Sequence, residues 1–125
     1  MTMDFFFPED NLDRATPEET RITALSVEPY PDGRRLHVSI EMTPFQKRPH
    51  LDVSITNGDG DEIASAHVVE PLNWKIEFTM HLRGGLKNPY TLEAKLYYPD
   101  GPFKEPQTLP FDVDPPPPAP EADSD

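Results

Sequence analysis

Trp74-Lys75-Ile76-Glu77-Phe78-Thr79-Met80-His81-Leu82 alternates apolar and polar side chains without a break. Successive side chains of an extended strand point to opposite faces, so this run has one face for a core and one for water or a partner. A helix would need a period near 3.6 residues, which the run lacks. Three more segments share the design. Leu36, Val38, Ile40 and Met42 alternate with Arg35, His37, Ser39 and Glu41. Leu51, Val53 and Ile55 alternate with Asp52, Ser54 and Thr56, and Tyr90, Leu92, Ala94, Leu96 and Tyr98 with Thr91, Glu93, Lys95 and Tyr97.

Turn-forming residues separate these runs. Pro29-Tyr30-Pro31-Asp32-Gly33, Asn57-Gly58-Asp59-Gly60-Asp61, Gly84-Gly85 and Pro99-Asp100-Gly101 punctuate the chain. Seven strands are expected, over about 21–28, 34–42, 50–56, 62–69, 74–82, 90–98 and 103–113. In the first, Leu25 and Val27 face inward; in the fourth, Ile63, Ala64, Ala66, Val68 and Val69 fit neither face cleanly. In the last, Pro102, Pro106 and Pro110 share one parity, opposite to Leu109, Phe111 and Val113. Missing N–H groups on one side of a strand are tolerated at a sheet edge, so this strand is expected to be an edge that its prolines protect from intermolecular pairing.

Seven short strands at this spacing resemble the immunoglobulin-like and fibronectin type III sandwiches. The segment Leu86-Lys87-Asn88-Pro89-Tyr90, ahead of Thr91-Leu92-Glu93-Ala94, resembles their tyrosine corner, in which a Tyr hydroxyl returns to the backbone just before the sixth strand. The chain has no Cys pair, and its single tryptophan, Trp74, starts the fifth strand. The resemblance implies an all-β fold, a seven-stranded antiparallel immunoglobulin-like β-sandwich with disordered acidic termini. It implies no particular function, since such sandwiches host many.

The formal net charge of −12 over 125 residues is concentrated at the ends. Residues 1–20 carry six acids and one Arg, residues 114–125 four acids and no base, and the middle only −3. The expected organisation is a mobile acidic arm over 1–20, a sandwich over 21–113, and an extended, proline-rich acidic tail over 114–125. Phe5-Phe6-Phe7 in the arm is expected to dock as an extra edge strand, because three exposed Phe side chains cost solubility. The charge distribution disfavours nucleic acid, which demands clustered Lys and Arg. Without cysteine there is no disulfide, thiolate chemistry or Cys-ligated zinc. No signal-like or membrane-length apolar stretch occurs, so the expectation is a cytoplasmic chain without membrane attachment, secreted only if it derives from a longer precursor.

Chemistry-bearing constellations are sparse. Asp59, Asp61 and Glu62 offer closely spaced carboxylates to a hard cation, and Asp32 joins them if the first, third and fifth loops gather at one end. The simpler reading is an Asx/Gly hairpin turn. His37 and His81 are expected to approach across neighbouring strands, but a zinc or copper site wants a third ligand. The same pairing sets Glu41 beside Lys75. There is no G-x-S-x-G elbow, phosphate-cradling loop or nucleophile–base pair, so an enzyme is not expected and no cofactor is implied. At the opposite end, Phe45, Lys47 and Arg48 of one loop and Phe103 and Lys104 of another form the candidate protein-binding site. The competing reading has both Phe rings closing the core while the bases keep the loops solvated. The outer face of the third, sixth and seventh strands, with Asp52, Ser54, Thr56, Glu93, Lys95, Tyr97 and Asp112, is a second candidate, suited to weak homodimerisation. The expected function is a non-catalytic interaction or accessory module, monomeric or weakly dimeric, with a calcium- or ligand-binding domain as the alternative.

Overall fold

The computed structural model describes residues 14–115. They form seven strands: β1 (Ile22–Pro29), β2 (Arg35–Met42), β3 (His50–Thr56), β4 (Glu62–Val69), β5 (Lys75–His81), β6 (Tyr90–Tyr97) and β7 (Gln107–Phe111). All pairings are antiparallel, in a three-stranded sheet of order β1-β2-β5 and a four-stranded sheet of order β4-β3-β6-β7. The described residues contain no helix, and none therefore long and apolar enough to cross a membrane.

The alternation in the sequence becomes the core. Leu36, Val38 and Ile40 of β2 meet Leu51, Val53 and Ile55 of β3 and Leu92, Ala94 and Leu96 of β6, all buried between the sheets. β5 follows the same pattern at an edge, so Ile76 and Phe78 are only half-buried. Its register on β2 is as the alternation predicts at Glu41↔Lys75, where Nζ lies 3.7 Å from a carboxylate oxygen. His37, by contrast, faces Thr79 and pairs with Glu77 at 3.2 Å, while Arg35 faces His81. His81 therefore lies two residues along β5 from the partner of His37, and the two histidines do not stand opposite each other as expected.

Two bulges explain the irregular strands. Between Ile55 and Thr56 the β3–β4 register shifts, so Ile63 and Ala64 are both buried before Ala66 and Val68 resume the inward parity. A similar shift between Ile22 and Ala24 reconciles buried Ile22 with the inward Leu25 and Val27. β7 is an edge, and Pro110 lies within it, as its prolines required. It is shorter than the expected 103–113, because Pro106 stands just before Gln107 and only an isolated bridge, Tyr97↔Phe103, precedes it.

The β5–β6 turn holds the corner that the sequence suggested. The Lys87 N–H donates to the Tyr90 hydroxyl at 2.9 Å, and the Tyr90 ring stacks on Phe111 at 5.6 Å. Beside it, the Asn88 side-chain amide donates to the Val113 carbonyl at 2.9 Å and accepts from the Val113 N–H at 2.8 Å. A side chain thus takes the place of a neighbouring strand for Val113, which is 1% exposed.

The last part of the expected arm belongs to the folded body. Ala15 pairs with Phe45, its N–H donating to the Pro44 carbonyl at 2.7 Å and its carbonyl accepting from Gln46 at 3.0 Å. Thr20 is fully buried, its hydroxyl donating to the Thr16 carbonyl at 2.8 Å. Docking of Phe5–Phe7 and the extended tail beyond residue 115 are expectations that lie outside the described residues.

Asn88→Ala removes two hydrogen bonds and leaves the buried Val113 backbone unpaired, an expected loss of about 2 kcal/mol in chemical denaturation. Tyr90→Phe removes one bond to an exposed donor and should cost about 1 kcal/mol. The order of the two losses tests which contact fastens the turn to β7.

Candidate functional site

Three loops meet where β2, β4 and β6 end, and the five residues expected to bind a partner there separate into different roles. Phe45 is 5% exposed and belongs to the core, as the competing reading of the sequence had it. Residues 14–20 close over it through the Ala15 pairing. Lys104 is committed to the same cover, its ammonium donating to the Glu18 carbonyl. The Lys47 carbonyl accepts from the Tyr98 hydroxyl at 2.7 Å, and its ammonium lies 5.8 Å from that ring. Burial pushes the Tyr98 hydroxyl to a higher pKa, with the Thr20 hydroxyl opposing, so the phenol stays a donor. Arg48 is exposed, and so is Phe103, at 67%. Only Phe103 and the two neighbouring bases of the first loop still face outward.

The acidic end has its own local work. Asp32 accepts from the Arg34 N–H at 2.9 Å and the Arg35 N–H at 3.2 Å, and from Arg35 Nε at 2.8 Å. The Arg34 N–H, followed by Arg35, holds its carboxyl below the usual range. In the β3–β4 loop the Asn57 side chain accepts from the N–H groups of Asp59 and Asp61, an Asx turn with Gly60 at φ 88°. Asp59 pairs with Lys87 at 2.9 Å, which raises the Lys87 pKa. Gly58 donates to the Lys87 carbonyl at 2.7 Å, and a Cβ there would lie 2.5 Å from the Asn88 carbonyl oxygen. Glu62 is the exposed first residue of β4. Among the described residues no three His, Asp or Glu side chains converge as a metal site requires, and Asp32, Asp59, Asp61 and Glu62 form no such group.

The register of the four-stranded sheet assembles something else on its outer face. β4 pairs with β3, not β5, so that Val69, His50 and Tyr97 lie directly opposite one another across three strands. The isolated bridge extends this row to Phe103. His50 and Tyr97 rings are 5.4 Å apart, His50 and His67 5.8 Å, and His67 and Tyr97 6.3 Å. Two residues along the strands, His67, Asp52 and Lys95 form a polar row, with the His67 imidazole bonded to the Asp52 carboxylate. Val69 is 55% exposed, so the row ends in an open apolar side chain on each flank. Partial desolvation and the Asp52 charge raise the Tyr97 pKa, which keeps its hydroxyl a neutral donor.

Tyr97 was the single aromatic expected on this face, and two signals could have enlarged it. His50 shares the parity of Asp52 and Ser54, and His67 and Val69 share one parity of β4. Parity cannot say which sheet a strand joins, and only the β3–β4 pairing brings His67 and Val69 beside His50 and Tyr97. The arrangement offers stacking rings, a neutral phenol and imidazoles, and open apolar ends, which are binding rather than bond-breaking groups. Comparison with known families and with curated proteins found no match to the chain.

The two phenylalanines should separate in a denaturation experiment. Phe45→Ala is expected to cost about 3 kcal/mol, as emptying a core site does. Phe103→Ala should change stability by less than about 0.5 kcal/mol, the usual limit for an exposed position.

Proposed function

We propose that the chain is a non-catalytic protein-interaction module whose contact surface is the row Val69–His50–Tyr97–Phe103, flanked by His67 and Arg48. What carries the reading is the run of ring contacts between residues of three strands, with Val69 and Phe103 exposed at either side. Aromatic side chains on a rigid sheet bring a large contact area at little entropic cost, which is why they dominate binding surfaces. This moves the contact surface from the loop tips to the sheet face beside them and keeps Phe103 and Arg48 from the original candidates. The acidic charge balance favours a protein over a nucleic acid as partner. A second copy of the chain bound weakly through the same row is the variant of this reading that ultracentrifugation distinguishes.

An immunoglobulin-like or fibronectin type III-like origin is part of the same proposal. The Tyr90 corner and the seven-strand order support it. β4 sits beside β3, unlike the constant-type immunoglobulin grouping in which the fourth strand pairs with the fifth, so the fibronectin-like resemblance is the better supported of the two.

A photoreactive residue in place of Phe103 should crosslink a defined protein in cell extract, and Tyr97→Ala should reduce that product about tenfold, the factor that goes with 1.4 kcal/mol of contact. A probe in place of Ser39, on the opposite sheet, should give no such product. Equal crosslinking from both positions, or none affected by Tyr97→Ala, would contradict the assignment.

A further inference from the structure

The edge strands of the two sheets are finished in different ways. β7 carries Pro110, and β1 lies beside it with the Ile22 carbonyl accepting from the Gln107 side chain at 2.9 Å. β5 presents Lys75 and Glu77, charges of the kind that repel an added strand. β4 has neither device. Residues 63–69 read Ile-Ala-Ser-Ala-His-Val-Val, without a proline, a lysine, an arginine or a carboxylate. The bulge stands at the start of β4 and leaves residues 64–69 as a regular edge. One bond fixes where their backbone groups point. The Glu70 N–H donates to the Pro49 carbonyl at 3.0 Å, in the register that sets Val68 opposite Leu51 and Ala66 opposite Val53. Even-numbered residues of β4 therefore turn their N–H and C=O groups to β3, and Ser65, His67 and Val69 turn theirs away from it. No strand among the described residues meets these groups. All three residues are exposed, while Ala66 and Val68 on the inward face are only half-buried.

We propose that this edge pairs with β4 of a second copy of the chain, antiparallel about a two-fold axis, and joins the two four-stranded sheets into one. A two-fold contact needs a surface that complements itself. Residues 63–69 meet that condition, because two identical strands without carboxylates, lysines or arginines lie side by side with no such charge repeated across the contact. β5 does not meet it, since Lys75 and Glu77 would recur on both sides. The arrangement also closes. Pairing uses up both β4 edges, and the joined sheet ends on each side in β7, where Pro110 stops further addition.

The register follows from the same residues. Outward backbone groups must meet outward backbone groups, so odd-numbered residues pair with odd-numbered ones and the axis falls on a residue of β4. An axis at Ala66 would set Glu62 opposite Glu70 of the partner subunit, and one at Val68 would set Ser65 opposite Pro71 of the partner subunit, which has no N–H to give. With the axis at His67, Ser65 exchanges backbone bonds with Val69 of the partner subunit, and His67 with its own counterpart. Each imidazole keeps the Asp52 carboxylate of its own chain beside it. On the inward face Ala66 comes to lie against Val68 of the partner subunit, which covers both half-buried side chains. The contact does not rest on the partner-binding reading, but it bears on it. The axis stands perpendicular to the sheet, so the rows of His50 and Tyr97 from both copies open on one side, offset by roughly 13 Å at about 3.3 Å per residue between Ser65 and Val69.

Sedimentation equilibrium of the full chain, with no partner present, should show a reversible dimer, and exchange of the Ser65, His67 and Val69 amides should slow as the concentration rises. Ser65→Pro removes a donor that bonds nothing in β3, so the monomer keeps its fold and the dimer should weaken about tenfold. His67→Lys sets two ammonium groups opposite each other and should weaken it too. The chain has no cysteine of its own. His67→Cys should therefore close a disulfide across the axis under mild oxidation, because α carbons in a hydrogen-bonded pair are about 5.5 Å apart, within disulfide reach. Thr108→Cys, exposed on β7, should stay reduced. A chain that is monomeric at every concentration would overturn the proposal, as would a dimer that Ser65→Pro and His67→Lys leave unchanged. So would slow exchange of the three amides in the monomer, since the edge would then be covered within one chain, and so would faster closure at Ala66→Cys than at His67→Cys. Crosslinking through Phe103 is read separately: monomeric Ser65→Pro should still give the partner product, so loss of the dimer and loss of that product are distinguishable.

Discussion

Everything in this molecule depends on β2 packing across β3 and β6. Leu36, Val38 and Ile40 from one sheet and Leu51, Val53, Ile55, Leu92 and Leu96 from the other are shielded from water almost completely. Burying that many branched side chains fixes the parity of the three central strands, because a slip of one residue would turn each set to the solvent. Once their inward faces are set, their outward faces are set too. The row of His50 and Tyr97 thus owes its place to core packing, and its ring contacts follow from that placement.

The edges carry less of that constraint and more of the molecule's individuality. β4 accommodates its mixed sequence through a bulge that buries both Ile63 and Ala64. β7 keeps to the edge with Pro110, and the Asn88 side chain continues its pairing as far as Val113. Residues 14–20 cover the end of the core beside Phe45, so that Lys104 and the backbone at Lys47 hold the fold together there. The exposed sheet face, unlike the loop tips, therefore holds side chains that the core does not need.

The strands were legible in the sequence because period-two alternation and turn residues are local signals. β3 and β4 have the expected limits, β2 and β6 differ by one residue at one end, and β5 by one residue at each end. The Tyr90 corner and the Glu41–Lys75 pair could also be anticipated, but only through the resemblance to the immunoglobulin-like sandwiches, in which the second and fifth strands are neighbours. What could not be read was non-local. Nothing in residues 62–69 says that β4 joins β3, and without that pairing His67 and Val69 are scattered surface residues. Nor does Ala15 announce that it pairs with Phe45, so a buried ring looked equally like a recognition residue. Asp32 and Asp59 look like cation ligands in the sequence because it shows carboxylates without the backbone N–H groups and Lys87 that engage these two.

The pairing of β4 with β3 is the claim on which the proposed surface rests, and proton NMR of the backbone tests it directly. In antiparallel pairs without mutual hydrogen bonds, the α carbons lie about 4.5 Å apart and the α protons closer still. Strong α-proton cross-peaks are predicted between Asp52 and His67 and between His50 and Val69. Their absence, with β4 giving such cross-peaks to β5 instead, would contradict the account and dissolve the row.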